Sequence, residues 1–226
     1  MTKRSKPKYY VIAVLIVMVL SIGTVVTCFS PIRRPGGDSD PISQLMEEPS
    51  AEESIDLLHS NGLDGWYKVG MGNWSMQDGV LTVKNGIGYL ATNYDRFKDF
   101  VLSVDVRTSK QANSGIFFRA EHPGLGFRPW PIGYEAQIDN HDPKNPTGSL
   151  YDRGTASASP PADGEWFSMQ ITAKGPHIRI QVNDALVVDA TDTKFQQGFI
   201  ALQAHDLGSV VEFRNMRLRH IGLSND

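Results

Sequence analysis

A single cysteine, Cys28, stands in all 226 residues. The chain beyond it has no disulfide and no thiolate chemistry, so a domain there must be held by its core alone, for which ~170 residues suffice. An excess of basic charge is also missing: 22 Lys and Arg face 25 Asp and Glu, a net charge of −3. That balance speaks against nucleic acid as a partner, because phosphate backbones select a basic face. No glycine-rich stretch follows a strand into a helix, so no phosphate loop is present. No internal repeat is visible. Beyond the N-terminal apolar run, no stretch sustains a helical period. Turn residues are plentiful instead, with 21 Gly and 13 Pro, and they divide the chain into short strands.

The N-terminus reads separately from the fold. Residues 1–8 carry Lys3, Arg4, Lys6 and Lys8, and an uncharged run follows from Tyr9 to Ile32 with its apolar heart at Val11–Val26. A run of ~20 apolar residues can span a bilayer as a helix. It is longer than the h-region of a cleaved signal. Residues 9–30 are therefore expected to be a single transmembrane signal anchor, with the basic end cytoplasmic and the domain extracytoplasmic, in the periplasm or at the cell surface. Cleavage of the segment and lipidation of Cys28 are the alternatives, the latter disfavoured by Val25 and Thr27 before the cysteine. Residues 31–54, rich in Pro, Gly, Ser, Asp and Glu, read as a tether. The domain is expected over 55–221, with a short tail at 222–226.

From Ile55 the signals are β. Val80–Val83 and Trp74–Met76 flank the hairpin loop Gln77–Asp78–Gly79. Leu102, Val104 and Val106 alternate with Ser103, Asp105 and Arg107, and Ile178, Ile180 and Val182 alternate with Arg179, Gln181 and Asn183. Short strands separated by turn signals predict an all-β sandwich or jelly roll. Two long segments, Glu121–Ile132 and Asn140–Asp163, lack strand character. Loops of that length are usually functional or disordered, and both flank the strand that contains Glu135.

Three strand-like stretches place polar groups on alternate residues, and residues two apart in a strand share a face. One offers Arg119, the next Glu135, Gln137 and Asp139, the last Gln203 and His205. Carboxylates and amides suit sugar hydroxyls. A carboxylate in a partly desolvated groove can also act as acid or base near neutral pH. Trp130 and Tyr134 lie beside them as rings for a sugar to pack on. Arg119 could stabilise an oxyanion or simply pair with a carboxylate. His205 could serve as a base or a metal ligand; Asp206, its neighbour, is expected on the opposite face and need not orient it. Asp139–Asn140–His141–Asp142 could hold a divalent cation together with Glu135, but reads better as an Asx-rich turn before Pro143. His59, His122, His177 and His220 receive no role. Glu135 and Asp139 lie about 13 Å apart along one strand, too far for the usual carboxylate pair of a glycosidase, although a carboxylate from another strand could still pair with Glu135.

The wording of several phrases is itself informative. Asn73–Leu81, Asn113–Arg119 and Gly133–Ile138 occur in order, followed by Gly164–Glu165–Trp166, Val182–Asn183–Asp184, Gly198–His205 and Phe213–Met216. Together they resemble the 3-keto-disaccharide hydrolase domain family, over about Ile55 to Ile221. The resemblance implies a concanavalin A-like jelly roll and a 3-keto-glycoside as substrate. A ketone at C3 acidifies the C2 hydrogen, so a base can form an enolate that expels the C1 substituent, after which water completes a net hydrolysis. The expected roles are Glu135 or His205 as base or acid and Arg119 as oxyanion stabiliser. Gln137, Asp139 and Gln203 would bind hydroxyls, with Tyr134 and Trp130 against the sugar. A divalent cation near O3 would also fit. The chain departs from the family in its opening phrase, His59–Trp66, and in using Asn183–Asp184 for an Asn-Gly turn. A non-catalytic carbohydrate-binding module on the same fold is the alternative.

Overall fold

The computed structural model describes residues 54–59, 62–124 and 129–222. The expected membrane-spanning segment, the tether up to residue 53 and the C-terminal tail beyond residue 222 lie outside them. The described residues form strands and turns with no helix. In chain order the strands are β1 (Ser54–Asp56), β2 (Trp66–Gly70), β3 (Asn73–Gln77), β4 (Val80–Lys84), β5 (Gly88–Thr92), β6 (Phe100–Thr108) and β7 (Asn113–Glu121). They continue with β8 (Ile132–Asp139), β9 (Phe167–Lys174), β10 (His177–Val182), β11 (Ala185–Thr191), β12 (Phe199–Ala204) and β13 (Val210–His220).

Two antiparallel sheets pack face to face. The larger runs β11-β10-β9-β6-β13-β4-β3, with β1 paired to β13; the smaller runs β2-β5-β12-β7-β8. Period-2 alternation supplies the layer between them. Leu102, Val104 and Val106 of β6 face Ile116 and Phe118 of β7 and Tyr134 of β8 within one buried cluster. Each fully buried aliphatic or aromatic side chain there contributes about 1.5–3 kcal/mol. Trp66 closes one end, its indole N–H donating to the Leu57 carbonyl at 2.8 Å.

Turn chemistry matches backbone geometry where hairpins are tight. Gln77 pairs with Val80, so the loop is two residues, Asp78 (φ 51°) and Gly79 (φ 75°). Asn183 and Asp184 make the same kind of turn at φ 47° and 64°. Asn and Asp tolerate this left-handed region better than other side chains.

The Asn140–Asp163 segment does more than connect strands. Its 147–151 stretch runs along β8, with Gln137 N–H donating to the Ser149 carbonyl at 2.9 Å and Tyr151 N–H donating to the Glu135 carbonyl at 2.9 Å. It thereby covers the edge of the smaller sheet, which would otherwise offer unpaired backbone groups.

Candidate functional site

The smaller sheet has an outward face that a wet sheet surface does not explain. Tyr89, Ala91, Phe117, Ala120, Phe199 and Ala201 form a second buried apolar cluster there, with Trp130 packed against it. Register orders the polar groups around this cluster. Ala201 pairs with Phe117 and Phe117 with Glu135, while Gly115 pairs with Gln137. On the other side Gln203 pairs with Tyr89. Gln203, Gly115 and Gln137 thus lie in one row across β12, β7 and β8, beside the row that ends in Glu135.

Gly115 makes room for the carboxyl. A Cβ at that position would lie 2.2 Å from Glu135 Oε1, so the Glu135 side chain lies over the glycine, between the two glutamines. Burial pushes the Glu135 carboxyl up from 4.5 to about 8, because a charged carboxylate loses water there. Both glutamines are buried, and Gln203 Oε1 has no hydrogen-bond partner. A buried amide oxygen without a partner costs about 1–3 kcal/mol, which a ligand hydroxyl would recover.

His205 lies just past the end of β12, and its ring stacks on Trp130 with centroids 4.9 Å apart and planes 15° apart. Its Nδ1 is 2.7 Å from Asp206 Oδ1. This corrects the expectation that Asp206 points away: the strand ends at Ala204, and alternation stops with it. If Nδ1–H donates to the carboxylate, the Nε2 lone pair is left as an acceptor.

A cavity of 370 Å³ opens on the other side of Glu135. Phe117 and Trp130 line it, joined by Tyr151, Arg153, Lys194 and Phe195. Sequence reasoning gave the individual side chains Tyr151, Arg153 and Lys194 no role. Tyr151 and Arg153 belong to the long Asn140–Asp163 segment that was expected to flank the Glu135 strand, whereas Lys194 lies in the bend after β11 and is brought to Glu135 by the fold alone.

Three expected site residues lie elsewhere. Arg119 is 2% exposed and sits in a β-bulge, where β7 places Arg119 and Ala120 opposite the single Gly133 of β8. The extra residue breaks the period of two and turns Arg119 (φ 47°) off the outer face. Its guanidinium donates to the carbonyls of Lys98 (2.7 Å), Gly175 (2.7 Å) and Phe195 (3.3 Å) and to Asp99 Oδ1 (3.0 Å). It is a structural clamp, not an oxyanion donor. Tyr134 alternates with Glu135 and so faces the core, fully buried, with its hydroxyl donating to Asp192 Oδ1 at 2.6 Å. It offers no ring to a sugar. Asp139 is committed to a turn, its Oδ1 accepting the N–H groups of His141 (2.8 Å) and Asp142 (3.1 Å). The rest of that turn is engaged too: Asn140 Nδ2 donates to Asp163 Oδ1 at 2.9 Å and His141 Nε2 lies 2.8 Å from Asp163 Oδ2. No cluster of three or more metal-ligating His, Cys, Asp or Glu occurs among the described residues.

His122, without a role in the sequence reading, lies between two tyrosines. Its Nε2 is 2.6 Å from the Tyr67 hydroxyl and its Nδ1 2.9 Å from the Tyr89 hydroxyl. Burial first, then Tyr89 and Asp95, push Tyr67 up to about 12, so that hydroxyl keeps its proton. The pair ties the residue following β7 to β2 and β5.

The sequence profile of the 3-keto-alpha-glucoside-1,2-lyase-like domain matches residues 53–219. No curated protein matches the chain. Among solved structures, a protein described as a candidate glycosyl hydrolase from Parabacteroides distasonis superposes with a TM-score of 0.66 at 20% identity, covering 78% of this chain and 97% of that one. The carbohydrate binding module CBM66 from Bacillus subtilis superposes with a TM-score of 0.55 at 20% identity, covering 72% and 99%. The exoplasmic/lumenal domain of VIP36, solved with Ca²⁺ and Man3GlcNAc, gives 0.52 at 13% identity, covering 71% and 87%. At these identities the likeness is one of fold.

Proposed function

Because the chain belongs to the 3-keto-alpha-glucoside-1,2-lyase-like domain family, we propose that it is a membrane-anchored enzyme that cleaves 3-keto-glycosides outside the cytoplasm, on a concanavalin A-like jelly roll. The observation that carries this reading is the Glu135 carboxyl, seated over Gly115 between two buried amides and pushed up to about 8. A surface whose only task is binding has no need of a carboxyl tuned to hold its proton at neutral pH.

In the proposed reaction His205 Nε2, with Nδ1 held by Asp206, takes the C2 proton beside the ketone. The electron pair becomes the C1–C2 double bond as the C1–O bond breaks. Glu135 gives its proton to the departing oxygen. The product is an enone, and water adding at C1 with return of a proton to C2 gives the free 3-keto sugar. The amide N–H groups of Gln137 and Gln203 are the available donors for the enolate oxygen and ring hydroxyls. Trp130 supplies the ring on which the sugar packs. Among the described residues lining the cavity Glu135 is the sole carboxylate, which favours this route over a pair of carboxylates.

A second reading is a carbohydrate-binding module, favoured by the unpartnered Gln203 oxygen and the Trp130 platform, which serve binding as well as catalysis. The test is release of the alcohol from a 3-keto-glucoside by the full-length protein, followed by NMR. Turnover that falls about 100-fold or more in Glu135→Gln supports the enzyme, at the scale usual for a general acid. Saturable binding without turnover supports the module and overturns the proposal.

A further inference from the structure

The cavity beside Glu135 differs in chemistry from the row of amides on its other side. Gln137 and Gln203 present amide groups from one row, on strands either side of β7. The cavity presents aromatic walls instead, from Phe117, Trp130, Tyr151 and Phe195. Tyr151 is 42% exposed there. Four such walls accept a flat apolar group.

Its charge is also one-sided. Arg153 and Lys194 line it. Arg153 is neutralised by the Asp192 carboxylate. The Lys194 ammonium lies over the Phe195 ring, 5.2 Å from its centroid, and has no carboxylate partner among the described residues. The nearest acid in the cavity, Glu135, holds its proton at neutral pH. A cavity carrying an uncompensated cation, in a chain whose net charge is −3, selects an anion.

We infer that this cavity receives the leaving alcohol, and that it favours one bearing an arene and a carboxylate, with Lys194 as the group that reads the negative charge. The inference rests on the reading of Glu135 as proton donor to the departing oxygen, which places that residue at the boundary between sugar and leaving group. Lys194 is a specificity residue here and not a catalytic one.

The test compares two aryl 3-keto-glucosides of the same anomeric configuration, one with a 4-carboxyphenyl and one with a 4-carboxamidophenyl leaving group. The full-length protein is assayed as wild type, Lys194→Gln and Lys194→Arg. Comparing the carboxylate-to-carboxamide ratio of kcat/KM between variants cancels the intrinsic difference between the two phenols. The expected ratio is about 5- to 10-fold higher in wild type than in Lys194→Gln, as for one partly exposed ion pair. It is largely restored in Lys194→Arg and declines with added salt. Equal ratios in wild type and Lys194→Gln overturn the inference while leaving the proposed activity standing. If neither compound is cleaved, the activity fails, and calorimetric titration of both compounds decides the subsite alone. A binding preference for the carboxylate that Lys194→Gln loses supports it, and equal affinities overturn it.

Discussion

Glu135 and Gly115 form one functional unit at the scale of single residues. A methyl group at Gly115 would meet the far end of a flexible side chain, so Gly115→Ala is expected to fold while displacing the carboxyl from its place between the amides. We expect kcat to fall 10-fold or more with an unchanged circular dichroism spectrum, for a displacement of the order of 1 Å. The raised carboxyl also fixes a pH dependence. As a donor it must be protonated, so kcat falls as pH rises through about 8. Stability follows with a definite sign. Between the unfolded value of 4.5 and the folded value of about 8 the native state binds more protons than the unfolded chain, so stability declines as pH rises across that window. Glu135→Gln removes this titration. Its melting temperature should match wild type near pH 4 and exceed it increasingly up to pH 8.

At the scale of elements, the bulge in β7 decides what Arg119 does. Gly133 and Gly198 let the bulged backbone approach: a Cβ on Gly133 would lie 2.7 Å from the Ala120 Cβ, and one on Gly198 2.2 Å from the Ala120 carbonyl oxygen. Arg119→Met should cost about 3–5 kcal/mol in urea unfolding, since it strands Asp99 and three carbonyls. Lysine should restore little, lacking the guanidinium's fixed spread of donors. Activity per folded molecule should survive. The strands of the core were legible because Leu102, Val104 and Val106 obey a strict period of two. The same rule put Glu135, Gln137 and Gln203 on one face, and applied consistently it also sends Tyr134 inward beside Glu135. It failed at Arg119, where a bulge adds a residue. It failed past Ala204, where the strand ends and Asp206 is free to hold His205. At Asp139, local backbone N–H groups compete for the carboxylate. Arg153 was signalled only through the length of its segment and Lys194 not at all, because irregular segments carry no period.

At the scale of the whole molecule, the domain is proposed to stand on a tether outside the membrane. Full-length protein is then expected in the membrane fraction, and a chain lacking residues 9–30 in the soluble fraction with its activity intact. The outer face of the smaller sheet, with a tuned carboxyl, two buried amides and a stacked His205–Trp130 pair, is the part of the molecule that argues for chemistry over simple binding. The most direct test is to let the full-length protein cleave a 3-keto-glucoside in deuterated water and to read C2 of the early product by NMR. The account predicts deuterium at C2 of the released 3-keto sugar, or an enone captured before hydration, with both signals lost in Glu135→Gln. Release of a 3-keto sugar that keeps its original hydrogen at C2, with no enone at any time, would contradict it.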